Sequence, residues 1–104
     1  MTSANEFPTK LRNRRTMHGT TQAEGDYSLA DLRDDLIATG IPRRYVPSVS
    51  TLSRMETGKV PESKVDAIVI YGMARVYSCG VSELSEAAAN ELDTMRDLLE
   101  HAWP

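Results

Sequence analysis

The stretch Ser48-Val-Ser-Thr-Leu-Ser-Arg-Met-Glu-Thr-Gly58 gathers the side chains best suited to chemistry, and that chemistry is recognition rather than bond making. Ser48, Ser50, Thr51, Ser53 and Thr57 bring hydroxyls and Arg54 a guanidinium, while Leu52 and Met55 are spaced to anchor one face of a helix. A helix that reads a DNA groove must be amphipathic, with an outer face of small polar or basic side chains able to reach base edges. Here Val49, Ser50, Ser53 and Arg54 are left to face outward, although Val49 has the alternative of packing inward, as apolar residues more often do. Ser48 is placed to cap the helix start, whose free backbone N–H groups suit a phosphate oxygen.

Other reactive types are scattered. His18 and His101 lie near opposite ends of the chain, Cys79 has no activating base beside it in sequence, and Glu56 has no acid, base or ligand partner at a useful spacing. Glu83 with Glu86, and Asp93 with Asp97, sit one helical turn apart and read as a solvated acidic face. No metal-ligand spacing, nucleophile elbow or phosphate loop is present, so neither an enzyme nor a cofactor is expected.

The elements that must position these residues are helical. Residues 1–9 read as a flexible arm containing Pro8, followed by a helix from Thr9 to Met17 and a loop from His18 to Asp26. Ser28 with Asp31 makes a capping signature for a helix whose face is Leu29, Leu32, Leu36 and Ile37, stopped by Gly40. Ile41 to Pro47, with two prolines, is a connection exposing Arg43 and Arg44. The Ser48 helix runs to Thr57, with Gly58 suited to a left-handed C-cap. Ser63 and Asp66 then open the most apolar helix (Val65, Ile68, Val69, Gly72, Met73, Val76), which ends at Gly80. Ser82 opens the last, with Leu84, Ala88, Leu92, Met95, Leu99 and Trp103 in a stripe. The expectation is an all-α fold of about five helices, one domain over residues 1–104, with a core over 10–85 and a C-terminal helix over 86–104.

Composition fits that reading: 40% apolar and 26% charged residues exclude wholesale disorder. A single cysteine leaves no internal disulfide and fits a reducing cytoplasm. Met1 to Pro8 lacks the apolar stretch of a signal peptide, and the longest apolar run, Ala67 to Ala74, is too short for a bilayer, so no membrane partner is expected. The net charge of −3 is uneven. Residues 1–64 carry ten Lys/Arg against eight Asp/Glu, and residues 65–104 two against seven. Screening makes the local balance the one that meets a phosphate.

The string Ser48-x-Ser-Thr-Leu-Ser-Arg-Met-Glu-x-Gly58, followed by Pro61, an apolar helix and Gly80-Val81-Ser82 with Leu84, resembles the phage repressor and Cro type (Xre family) of helix-turn-helix proteins. The resemblance spans roughly residues 10–85 and is strongest over 48–60. It implies a lambda-repressor-like core with an extended acidic C-terminal helix, in which Ser48 caps the recognition helix and touches a phosphate. Val49, Ser50, Ser53 and Arg54 would face the major groove, with Thr51 between these roles, and Lys59 would meet the DNA backbone. Glu56 would be the internal carboxylate that pairs with an arginine of the first helix, best matched by Arg15. The chain departs from the family in its two long loops and in Arg33, where a small, alanine-like residue is usual.

Arg12, Arg14 and Arg15 read either as an arm on the DNA backbone or as a wet helix face with one member paired to Glu56, and Arg43 and Arg44 as reaching flanking phosphates. The expected partner is an operator in double-stranded DNA, in the cytoplasm and on the nucleoid, held by a homodimer formed through the C-terminal helix; the alternative for that helix's apolar stripe is packing within the chain as the lid of its own core. The expected activity is repressor or Cro-like occlusion in a phage or bacterium. The competing reading is a protein-interaction module, such as an antitoxin or anti-repressor, that retains the helix-turn-helix.

Overall fold

The structure is a computed structural model that describes residues 6–22 and 26–102, with the side chains of 6–20 and 26–96. The described residues form six α-helices in succession: α1 (Glu6–Gln22), α2 (Leu29–Ala38), α3 (Val49–Glu56), α4 (Ala67–Tyr77), α5 (Val81–Leu84) and α6 (Glu86–Ala102). The described residues contain no strand, and the fold is all-α, as the periodicity of the sequence implies. None of the described helices is long and apolar enough to cross a membrane.

The first helix starts earlier and ends later than expected. Pro8 lies in its first turn, where a missing N–H costs no bond, so the proline does not interrupt the helix. Phe7 and Leu11, one turn apart, are 4% and 1% exposed and enter the core. Residues 6–9 are therefore helical, with Phe7 in the core, while the expectation for 1–5 lies outside the described residues. Most of the expected His18–Asp26 loop is also helical, as α1 runs on to Gln22; residues 23–25 are not described. The His18 ring stands edge-on to Tyr27 and Tyr77, with centroids 4.5 and 5.7 Å away, and these contacts override the weak helix propensity of Gly19 and Thr20.

The second helix begins as its sequence dictates. Ser28 Oγ accepts the Asp31 N–H and the Asp31 carboxylate accepts the Ser28 N–H, both at 3.0 Å. Leu32 and Leu36 are fully buried, and Gly40, at φ +89°, takes the left-handed turn that ends the helix. Opposite them lies Gly72 of α4. A Cβ there would come within 3.1 Å of Leu36 and 3.2 Å of Ile41, so any larger residue would need those side chains to give by a few tenths of an ångström.

Two boundaries near the C-terminus differ from expectation. Glu62–Lys64 form a 3-10 turn and Val65 is extended, so Asp66, not Ser63, caps α4, its carboxylate accepting the Ile68 N–H at 3.0 Å. That helix ends at Tyr77, with Ser78 left-handed, short of Gly80. The single helix expected from Ser82 is broken at Ser85, which has extended backbone angles. Ser85 is 2% exposed; its hydroxyl donates to the Glu62 carboxylate and accepts the Ala88 N–H, capping α6. A tertiary bond and a cap thus replace one turn of helix.

If Phe7 is a core residue, Phe7→Ala should lower unfolding free energy by about 3–5 kcal/mol in urea titrations. A loss under about 0.5 kcal/mol would mark residues 6–9 as an arm after all. The carboxyls of Asp31 and Glu83 are held below their ordinary values of 3.8 and 4.5, chiefly by the backbone N–H groups of Ser28 and Gly80. A depressed carboxyl stabilises the fold above its unfolded pKa, and that contribution fades as pH falls through the folded value. Asp31→Asn with Glu83→Gln should therefore lower the Tm near neutrality and flatten its decline in acid; an unchanged acid limb would contradict the assignment.

Candidate nucleic-acid interface

Eight residues form α3, and local signals define both its ends. Ser48 Oγ accepts the Thr51 N–H at 3.1 Å, closing the N-terminus. At the other end Gly58 is at φ +80° and the Lys59 N–H reaches back to the Arg54 carbonyl at 2.9 Å, the Schellman pattern. Leu52 and Met55 are 1% and 2% exposed, and Thr51 and Glu56 are half-buried beside them. Ser48, Val49, Ser50, Ser53 and Arg54 are exposed. At 3.6 residues per turn, Val49, Ser53, Ser50 and Arg54 fill a continuous arc of about 140°. Val49 stands on the open face, not in the core.

Arginines fix the helix at both ends. From α1, Arg15 Nε and Nη2 donate to the two Glu56 carboxylate oxygens at 2.7 and 2.9 Å, and Nη1 donates to the Tyr27 carbonyl at 2.7 Å. The Glu56 side chain is only 7% exposed, and its hydrogen bonds hold the Arg15 guanidinium still more firmly protonated than usual. At the front, Arg33 of α2 donates to the Pro47 carbonyl at 3.1 Å, immediately before the Ser48 cap. The long side chain at this position thus spans the longer connection. That connection is not wholly irregular, for Arg43–Tyr45 make one 3-10 turn.

Arg43 and Arg44 are exposed on that turn, Arg44 lying 5.0 Å over the Tyr45 ring. Lys59 is exposed beyond the other end of α3. Among the described residues, Arg43, Arg54 and Lys59 have no hydrogen-bond or ion-pair partner for their charge. In the α1 cluster Arg14 is paired with Glu83 at 2.7 Å and Arg15 with Glu56, leaving Arg12 exposed.

No family model matches the chain, and no curated protein or solved structure matches it.

One cation on this side escaped the sequence reading. Lys64 is exposed on the 3-10 turn before α4 and, with Arg44, borders a cleft of about 230 Å³ along α3. Its only sequence signal is a basic residue shortly after Pro61. Across residues 43–64, five Lys/Arg face two Asp/Glu, and one of those two, Glu56, is already paired. Elsewhere, burial pushes the Cys79 thiol up from its ordinary value, away from the nucleophilic thiolate. Among the described residues no group of three His, Cys, Asp or Glu side chains is placed to hold a metal ion.

Because Arg15 and Glu56 share a part-buried bidentate contact, replacing either by alanine should destabilise the fold by about 1–3 kcal/mol. A double-mutant cycle should return a coupling of about 1 kcal/mol or more, whereas additivity within about 0.3–0.5 kcal/mol would deny the pair that role.

Proposed function

We propose that the chain is a sequence-specific, double-stranded DNA-binding transcription regulator of a phage or bacterium, a repressor or Cro-like protein that occludes its operator. The observation that carries this reading is the outward arc of α3: a valine, two small hydroxyls and one unpaired arginine, on a helix tied at both ends. Short polar side chains let a helix approach base edges, and an arginine at its margin can take guanine O6 and N7 together. Ser48 and the α3 N-terminus would accept a phosphate, and Arg43, Arg44 and Lys59 would neutralise the backbone on either side. The likeness of residues 48–60 to Xre-type recognition helices supports the same reading.

A second copy completes the reader, since two-fold symmetry presents two recognition helices to half-sites one helical turn apart. In α6, Ala88 is buried and Leu92 half-buried, but Met95 is 42% exposed, so the stripe outruns the core. Leu99 and Trp103, on the same stripe, lie outside the described side chains. With one Lys/Arg against five Asp/Glu over residues 86–102, this helix would point away from DNA and toward its partner. Such a protein would work in the cytoplasm, on the nucleoid.

Two variants test the proposal on a duplex obtained by selection from random DNA. Arg54→Ala should lower affinity for that duplex by about 1–3 kcal/mol and relax preference at one base pair. Arg43→Ala should weaken all sequences alike and reduce the salt slope by about one unit. Variants that change neither would remove the assigned roles, and no binding even at low salt would put the protein-interaction module in place of the DNA reader.

A further inference from the structure

Met17, Val49, Tyr71 and Met95 are the large apolar side chains left exposed among the described residues. Only Val49 belongs to the arc of α3, where it is 41% exposed in the first turn while Leu52 and Met55 turn away into the core. Ser53 stands next to it on the arc and Ser50 beyond, so a valine borders a surface otherwise made of hydroxyls and one guanidinium. Val49 is not among the buried side chains that form the core.

We propose that Val49 reads the C5-methyl group of a thymine in each operator half-site, an inference that rests on the DNA-reading proposal above. Thymine is the one base that shows a methyl group in the major groove, and an apolar side chain is its natural complement. The geometry favours such a contact. Valine is short, so it reaches a base edge only if the helix lies close, and the serines at 50 and 53 leave room for that approach. Arg54, the long side chain, sits at the opposite margin of the arc, where it spans the remaining distance. The pair would make the half-site read as a thymine methyl on one side and a hydrogen-bonding base on the other.

The test uses the full chain and its preferred duplex, selected from random DNA. Each thymine is replaced in turn by deoxyuridine, which removes the methyl and leaves base pairing intact, and affinity is read by fluorescence anisotropy. One position per half-site should weaken binding about fourfold, the affinity equivalent of about 0.8 kcal/mol for one buried carbon. Val49→Ala should weaken the thymine duplex to a similar degree and lose its sensitivity to deoxyuridine at that position. Because Val49 is exposed, the variant should keep the helical circular dichroism of the parent, which serves as the control for folding. A preferred duplex with no deoxyuridine-sensitive thymine, or a sensitivity that persists in Val49→Ala, would overturn the thymine contact and leave the DNA reader standing. Failure of selection to yield any preferred duplex would overturn both.

Discussion

A helix of eight residues has little stability of its own in water, since isolated helices shorter than about 12–15 residues barely form. The pose of α3 therefore depends on the three bonds of Arg15: two to Glu56 at the rear of α3 and one to the Tyr27 carbonyl that leads into α2. One guanidinium thus ties three helices, and its planar fork is what allows it, because a lysine ammonium could not make the bidentate contact. Arg33 ties the front of α3 through the Pro47 carbonyl. With the apolar anchors Leu52 and Met55 between these ties, α3 is fixed at both ends and along its inner face. Its outer face is left free of structural duty.

That division of labour extends to the charges. Arg14, Arg15 and Arg33 are committed to Glu83, Glu56 and the Pro47 carbonyl, so they hold the fold together. Arg43, Arg54 and Lys59 make no such commitment; Arg54 lies on the exposed side of α3, and Arg43 and Lys59 are exposed on the segments before and after that helix. The carboxylates follow the opposite logic. Asp31, Asp66 and Glu83 accept backbone N–H groups at helix starts, and the acidic residues of α6 lie on a separate element. A chain with net negative charge can in this way offer a locally basic face, since screening confines each field to about 10 Å.

Much of this was legible in the sequence wherever the signal was local. Ser48, the Leu52 and Met55 pair and Gly58 mark α3 within eleven residues, and Ser28 with Asp31 marks α2 within four. What failed were features set by distant partners. Phe7 enters the core and Pro8 sits in the first turn of α1, yet a lone aromatic beside a proline reads as a loose arm. Ser85 interrupts the last helical stripe because it bonds to Glu62, 23 residues away, and no periodicity carries that information. Ser63 and Asp66 are both capping types, and the extended Val65 between them decides for Asp66. The Arg15 and Glu56 pair is separated by 41 residues and came only from a family resemblance, while the use of Arg33 as a strut had no sequence signal at all.

In the proposed DNA reader the open face of α3, and not the acidic α6, meets the partner. Backbone amide NMR of the labelled protein, titrated with double-stranded DNA at about 0.15 M salt, reports this residue by residue. Binding through α3 should give shifts centred on residues 48–54 and flanked by 43–44 and 59, with residues 86–96 unmoved. Shifts confined to α6, or none at any DNA concentration, would contradict it.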